Sequence, residues 1–235
     1  MRRIGLIGGM SWESSLHYYR RINEAVRERV GGHHSADLVL VSLDFAPVEE
    51  MQRQDAWGAA AALLAKAAKD CVGAGAEGLL LCTNTMHVVA EALEAAVKVP
   101  LLHIADATGE AIKGSGLRRV GLLGTSFTME REFYRNRLEE RFGLEVLVPG
   151  EEARKDIHRV IFEELVLGVI NAESKERYLS IIEELAAEGA EAIILGCTEI
   201  GMLLSPEDHR LPLFDTTEVH AAAAVEWMLG KSAPK

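Results

Sequence analysis

The sequence is poor in cysteine, in basic residues and in long apolar runs. Its 235 residues include 3 cysteines, and neither a CxxC pair nor an HExxH motif occurs, so the ligand spacings typical of zinc sites are missing. Lysine and arginine number 25 against 36 acidic residues, which gives a net charge of −11. This balance argues against nucleic acid or an anionic membrane as the main partner, because both require a basic surface.

No stretch of the sequence approaches the length of a transmembrane helix, and the apolar run in the opening MRRIGLIGG is too short for a signal peptide. A few cysteines without an export signal indicate reduced thiols, so we expect a cytoplasmic protein. The composition, 49% hydrophobic and 26% charged, is that of an ordinary globular chain, long enough for one large domain or two small ones.

Short apolar runs alternate with longer segments of helical spacing along the chain. The runs are IGLIGG, DLVLVSLDF, GLLLCT, PLLHIAD, RVGLLGT, LEVLVP, AIILGCT and LPLFDT. Continuously apolar runs of this length are typical of strands buried on both faces of a parallel sheet. Ser11 and Gly31 mark the beginning and end of the first helical segment. The alternation predicts an α/β fold with doubly wound, mainly parallel sheets.

The chain also contains an internal repeat. Three pairs of similar segments occur in the same order, beginning at Ile4 and Val120, at Gly75 and Gly189, and at Pro100 and Pro212. Their offsets are 116, 114 and 112 residues. We therefore predict two pseudo-symmetric lobes, one formed by residues 1–102 and 211–235 and the other by residues 103–210, with an active site in the cleft between them.

Two related polar motifs follow corresponding strands of the repeat. Thr83-Asn84-Thr85 ends one strand and Cys197-Thr198-Glu199 ends the other. Ligands bind beyond the carboxyl ends of parallel strands, where free backbone amides and helix N-termini favour anions. We therefore expect a lowered pKa for the Cys197 thiol and a role for it as base or nucleophile.

The other two cysteines are interpreted as packing residues. Cys82 lies one residue before Thr83, and side chains alternate between the two faces of a strand, so Cys82 should point into the core. Cys71 is also interpreted as a core residue, because it lies late in an alanine-rich helix.

GGMSWE at residues 8–13, CTNTMH at 82–87 and GCTEIG at 196–201 resemble the aspartate/glutamate racemase family, and the resemblance runs nearly end to end. It implies two similar α/β lobes and proton exchange at an amino-acid α-carbon by two opposed cysteines. It also implies that neither pyridoxal phosphate nor any other cofactor is needed, and that the protein is a homodimer.

The sequence departs from the family pattern because Thr83 replaces the first cysteine, as in a similar subgroup specific for L-aspartate and L-glutamate. The predicted catalytic pair is Cys197, the base for the L isomer, and Thr83. Asn84, Thr85 and Thr198 could hold the α-carboxylate. Glu199 is either a proton acceptor beside Cys197 or a solvated acid at a helix start.

The resemblance adds further substrate contacts and leaves the side-chain preference open. It places ligand-binding residues at Met10, Ser11 and Gln52. Family members that favour aspartate carry a cation before the helix DIHRVIFEEL, where this chain has Arg154-Lys155 followed by Asp156. Aspartate, glutamate and a broader set of amino acids all stay open as substrates.

Two alternatives to racemisation stay open at this point. A malonate-type decarboxylase or a related isomerase of the same fold would also use one cysteine opposite a non-thiol residue. A non-catalytic dicarboxylate-binding protein would tolerate replacement of Cys197. His87 and His220 are interpreted as packing residues and are not assigned to the site.

Overall fold

The computed structural model describes residues 1–230, which form two compact units. One contains Met1–Ile104 together with the chain from His220, and the other contains Ala105–Val219. The chain enters the second unit two residues after the predicted boundary at 103, and it returns nine residues after the predicted boundary at 211. Residues 231–235, which close the range predicted for the first lobe, lie outside the described residues.

Each unit is built on a four-stranded sheet, and every pair of neighbouring strands is parallel. The strand orders are β2-β1-β3-β4 and β6-β5-β7-β8, so the topology is the same in both units. The bounds are β1 Ile4–Gly8, β2 Leu38–Ser42, β3 Gly78–Leu81, β4 Leu101–Leu102, β5 Arg119–Gly124, β6 Glu145–Leu147, β7 Ala192–Gly196 and β8 Leu213–Asp215. Every predicted run contains a strand, which confirms the predicted fold class.

The late return of the chain has a clear cause in this topology. Strand β8 pairs with β7 through Ile193 and Leu213, Ile194 and Phe214, and Leu195 and Asp215. The segment that repeats the end of the first lobe is therefore the edge strand of the second sheet.

Helices connect the strands in each unit. Those that precede β5 are α1 Trp12–Val30, α2 Phe45–Arg53, α3 Trp57–Gly73, α4 Ala90–Ala96 and α5 Ile104–Gly114, with a 3₁₀ turn at Thr85–Val89. Those that follow β5 are α6 Ser126–Glu130, α7 Glu132–Phe142, α8 Glu151–Glu163, α9 Ala172–Ala187, α10 Ile200–Leu203 and α11 Thr216–Met228, with 3₁₀ turns at Leu165–Leu167 and Pro206–Asp208. None of the helices within residues 1–230 is both long and apolar enough to cross a membrane.

The two faces of the first sheet are covered by different helices. Ile4, Leu6, Leu80 and Cys82 pack with buried residues of α1 and α11. The alternate strand positions, such as Ile7, face a second cluster that includes residues of α2, α3 and α4. This alternation explains why the central strands read as continuously apolar, since both of their faces are covered.

Strand β3 and helix α11 meet at a glycine. A Cβ atom at Gly78 would lie 2.6 Å from the indole ring of Trp227, which is closer than real Cβ contacts allow. Trp227 is buried and contributes the largest side chain that α11 places in this cluster. The absence of a side chain at residue 78 therefore lets the last helix pack directly on the sheet.

Replacing Gly78→Ala should destabilise the protein by about 1–3 kcal/mol, because the indole must move out of a well-packed core. The matched control is Gly58→Ala at the start of α3, where a Cβ would meet nothing within 4 Å and helix propensity improves. Urea unfolding followed by circular dichroism measures both variants. Equal midpoints for Gly78→Ala and Gly58→Ala would contradict the described packing.

Candidate active site

The first predicted motif follows β3 in a tight, buried turn. Thr83, Asn84 and Thr85 are all buried, and the Thr83 N–H donates to the Leu81 carbonyl at 2.9 Å. The next 3₁₀ turn is closed by the His87 N–H, which donates to the Asn84 carbonyl at 3.1 Å. The polar side chains of the motif therefore lie at the carboxyl end of a central strand.

The loop after β1 contributes Met10 and Ser11. Gly9 has a φ of +87°, and a Cβ there would lie 2.1 Å from the Leu43 carbonyl oxygen, so the close approach of two backbone segments requires glycine. The Ser11 side chain caps α1 by accepting the Ser14 N–H at 3.3 Å. Met10 is buried in the same cluster as Met86, the residue after Thr85.

Gln52 lies near the same turn. It is buried near the end of α2, and its Nε2 donates to the Met86 sulfur at 3.0 Å. Its Oε1 is buried and has no hydrogen-bond partner in residues 1–230. Buried amide oxygens are normally paired, so this atom could accept a hydrogen bond from a ligand.

The second motif follows β7 in the other unit. The ends of β5 and β7 lie close together just before this motif, and two glycines allow the contact. A Cβ at Gly124 would lie 2.9 Å from the Gly196 carbonyl oxygen, and one at Gly196 would lie 2.8 Å from the Leu123 carbonyl oxygen. Cys197 comes directly after β7 and is only 8% exposed. The Ile200 N–H donates to the Cys197 carbonyl at 3.1 Å and closes the turn.

Glu199 is a direct partner of the thiol. The Cys197 Sγ–H donates to Glu199 Oε2 at 3.0 Å, and the Thr198 hydroxyl donates to the same oxygen at 2.6 Å. Glu199 is 3% exposed, so it is not the solvated acid that was one of its two interpretations. The buried thiol and carboxylate and the partly buried Thr198 hydroxyl form one hydrogen-bonded group at the end of β7.

The lowered pKa expected for the Cys197 thiol is wrong. Burial raises the pKa of the Cys197 thiol well above its ordinary value, and the neighbouring Glu199 carboxylate raises it further. Asp215, at the end of β8, adds a smaller upward contribution. Burial first, and then the two acidic groups, therefore favour the protonated thiol over the thiolate.

Cys82 and Cys71 are core residues, as predicted. Both are fully buried, and all three cysteines are free thiols. Cys82 packs on the α1 and α11 face of the first sheet, opposite to the face that Leu81 contacts. Burial raises the pKa of Cys71 to about 11 and that of Cys82 further still, so neither thiol ionises near neutral pH.

The sequence reading missed two residues that contact or influence the motifs. Asp215 aligns with His103 in the repeat and is the acid that acts on Cys197 from β8. His87, which was set aside as a packing residue, places its Nδ1 2.7 Å from the Thr83 carbonyl oxygen. The spacing of four residues from Thr83 to His87 was the available signal.

Comparison with known proteins gives a consistent picture. Residues 7–224 match the model of the Asp/Glu/hydantoin racemase family. A structure of a candidate Asp/Glu racemase from Yersinia pestis is 50% identical with a TM-score of 0.91, covering 97% of this chain and 100% of that one. A structure of an aspartate racemase homologue from Pyrococcus horikoshii is 37% identical with a TM-score of 0.84, at the same coverage.

Another similar protein has a lower identity. The broad specificity amino-acid racemase RacX of Bacillus subtilis is 26% identical over 163 residues, which are 66% of this chain and 66% of RacX.

Replacing Glu199→Gln should lower the pKa of the Cys197 thiol, because it removes a nearby negative charge. The measurement is the rate of Cys197 alkylation by iodoacetamide against pH, followed by peptide mass spectrometry. The thiolate is the reactive form, so the midpoint should move to lower pH in Glu199→Gln and by a smaller amount in Asp215→Asn.

The control is Glu207→Gln, which removes an exposed carboxylate from the same unit. It should leave the midpoint where it is in the unchanged protein. An unchanged midpoint in Glu199→Gln would contradict the thiol–carboxylate contact.

Proposed function

The chain belongs to the Asp/Glu/hydantoin racemase family, and we propose that it is a cofactor-independent amino-acid racemase with Cys197 as base and Thr83 as the opposing group. Its substrates are L-aspartate and L-glutamate or a broader set of amino acids. Cys197 carries the proposal, since its thiol already donates a hydrogen bond to a buried carboxylate.

The proposed first step is removal of the α-proton from the L isomer. The Glu199 carboxylate accepts the thiol proton, and the thiolate so formed takes the proton from the α-carbon. The raised pKa of Cys197 makes the thiolate a strong base once it forms, and the 3.0 Å contact provides a direct proton acceptor. The α-ammonium group of the substrate, close to Glu199 and Asp215, would favour the thiolate by offsetting their negative charge.

The proposed second step is protonation of the carbanion-like intermediate from its other face. This step requires the Thr83 hydroxyl to approach the α-carbon opposite to Cys197. A hydroxyl can donate its proton to a carbanion, and Thr83 regains a proton from water while Glu199 releases to water the proton that it took from the thiol. The same hydroxyl is a poor base at neutral pH. The enzyme should therefore deprotonate L isomers readily and D isomers very slowly.

Net racemisation is limited by this asymmetry. The equilibrium constant between enantiomers is one, so racemisation must be equally efficient in both directions. Slow deprotonation of the D isomer therefore means that the D isomer also forms slowly from the L isomer. Exchange of the α-proton of the L isomer with solvent can stay fast, because it needs Cys197 and Glu199 but not Thr83.

Polar groups of both motifs support binding of the amino acid. We propose that Asn84, Thr85 and Thr198 hold the α-carboxylate and spread the charge that develops during deprotonation. Met10 and Ser11 complete the set proposed from the resemblance. Gln52 belongs to it because its buried Oε1 has no partner in the described chain.

The ion pairs of the two cations near the start of α8 favour a broad substrate range. Arg154 pairs with Glu130 at 3.0 Å, and Lys155 pairs with Glu151 at 2.8 Å. Asp156 pairs with Arg159 and Arg177. The positive charges at 154 and 155 are therefore already neutralised within the unit, and the similarity to a racemase of broad specificity points the same way.

The homodimer inferred from the resemblance stays a proposal. Helix α1 exposes Trp12, Leu16 and Tyr19, which share one face at helical spacing and are 63%, 56% and 48% exposed. An apolar stripe of this kind is suited to contact with a second copy of the chain.

Formation of D isomers from L-aspartate, L-glutamate and L-homoserine, measured by chiral chromatography, tests the proposal. Cys197→Ser should lower the rate by about 100-fold or more, as expected for loss of the general base. Thr83→Cys should raise it, because a second thiol can act on the D isomer. Cys82→Ser, which changes a core thiol, is the control and should stay close to the unchanged protein.

Three results would overturn the proposal. Racemisation that survives in Cys197→Ser would exclude Cys197 as the base. Loss of racemisation in Cys82→Ser, in a folded variant, would exclude Cys82 as a packing residue. Release of carbon dioxide from substituted malonates without racemisation would favour the decarboxylase instead.

A further inference from the structure

A cluster of buried imidazoles lies beneath the Thr83 turn in the first unit. His87, His103 and His220 are 2%, 4% and 0% exposed. The ring centroids of His87 and His103 are 4.4 Å apart, and those of His87 and His220 are 6.0 Å apart. Three histidines in one apolar core are costly unless their nitrogens are paired, so their hydrogen bonds define their roles.

His87 connects two backbone segments. Its Nδ1 lies 2.7 Å from the Thr83 carbonyl oxygen, and the Ile104 N–H donates to its Nε2 at 3.2 Å. A carbonyl can only accept and an amide N–H can only donate, so Nδ1 carries the proton and Nε2 does not. The imidazole is thus a neutral bridge from the turn after β3 to the start of α5.

The bridge fixes the backbone of the proposed catalytic residue. Thr83 is the second residue after β3, and its own N–H donates to the Leu81 carbonyl at 2.9 Å. The His87 imidazole holds the other side of the same residue through its carbonyl. Removing that donor would free the Thr83 peptide group to rotate and would shift its hydroxyl.

The corresponding turn in the second unit has no such bridge. The repeat aligns Gly201 with His87, and a Cβ at Gly201 would lie 2.1 Å from Asp215 Oδ2. The space of a side chain is therefore taken by a carboxylate, and the Cys197 carbonyl accepts the Ile200 N–H instead. Of the two corresponding turns, the one that carries Thr83 has the imidazole bridge.

We propose that His87 is a positioning residue for Thr83, acting through the hydrogen bond from its Nδ1–H to the Thr83 carbonyl. The inference rests on the proposed function and extends it. His87 affects the rate at which Thr83 delivers the proton that forms the D isomer. Proton removal by Cys197 does not depend on His87.

Two matched substitutions separate the two ends of the imidazole. In His87→Asn the side-chain amide nitrogen can replace Nδ1 and keep the bond to Thr83, but the Ile104 N–H loses its acceptor. In His87→Gln the amide oxygen can replace Nε2 and keep the bond from Ile104, but the Thr83 carbonyl loses its donor. Each variant keeps one of the two hydrogen bonds, so their losses of stability should be similar.

The experiment measures two rates for each variant with L-aspartate. One is loss of the α-proton signal in D₂O, which reports Cys197, and the other is formation of D-aspartate, which also needs Thr83. In His87→Gln the ratio of D-isomer formation to exchange should fall by about tenfold or more, since displacing a reacting group by about 1 Å costs up to 100-fold. In His87→Asn the ratio should stay within about threefold.

His220→Gln is the control for loss of a buried imidazole. His220 bonds to the Leu102 carbonyl at 2.7 Å and to the Tyr18 hydroxyl at 2.9 Å, so it belongs to the same cluster without touching Thr83. Its substitution should lower stability and leave the ratio of the two rates unchanged.

The positioning role would be overturned if the ratio of D-isomer formation to exchange were unchanged in His87→Gln. It would also be overturned if the ratio fell equally in His87→Asn and His87→Gln. A parallel fall of both rates in the two variants would reduce His87 to a structural residue. The wild-type protein is measured before any His87 variant. If it shows no α-proton exchange that is lost on replacing Cys197, the proposed function is overturned instead.

Discussion

The hydrogen bond between the Cys197 thiol and the Glu199 carboxylate is the interaction on which the proposed chemistry depends. A buried thiol alone would hold its proton and be inert. Glu199 makes ionisation harder through its charge and also supplies the acceptor for the thiol proton at 3.0 Å. Burial and the Glu199 charge therefore favour the protonated thiol, and the proposed role of the substrate ammonium is to shift that balance towards the thiolate.

The two units share a topology and differ in the chemistry at equivalent positions. The turn after β3 carries the Thr83 hydroxyl, and the neutral His87 imidazole donates a hydrogen bond to the carbonyl of the same residue. After β7 the turn carries a thiol, surrounded by the carboxylates of Glu199 and Asp215. The internal repeat keeps the backbone positions of the proposed catalytic pair, while different residues at a few strand-end positions give each proposed member its own hydrogen-bond partners.

The fold was predictable from the sequence because buried parallel strands leave a local signal. All eight apolar runs contain strands, and the repeat correctly predicted two similar sheets. Cys82 was also predictable, since its orientation follows from strand alternation. The boundary at 211 was predicted too early, although the repeat of Pro100 at Pro212 already indicates that Leu213–Asp215 completes the second sheet before the chain returns.

The electrostatics of the site were the least predictable part. A cysteine at a strand end suggested a stabilised thiolate, but the sign of its pKa shift depends on burial and on carboxylates. The motif itself contains Glu199, but the sequence left two roles open for it. Asp215 lies well beyond Cys197 along the chain and is brought close by the pairing of β8 with β7. His87 could be seen four residues after Thr83, yet its hydrogen bond to the Thr83 carbonyl depends on the 3₁₀ turn.

Proton NMR of L-aspartate and D-aspartate in D₂O, each with the unchanged enzyme, tests the central claim most directly. A site with one competent thiol predicts loss of the α-proton signal from L-aspartate and little loss from D-aspartate over the same time. Equal loss from both enantiomers would contradict it, because a second effective base would then have to act on the D isomer.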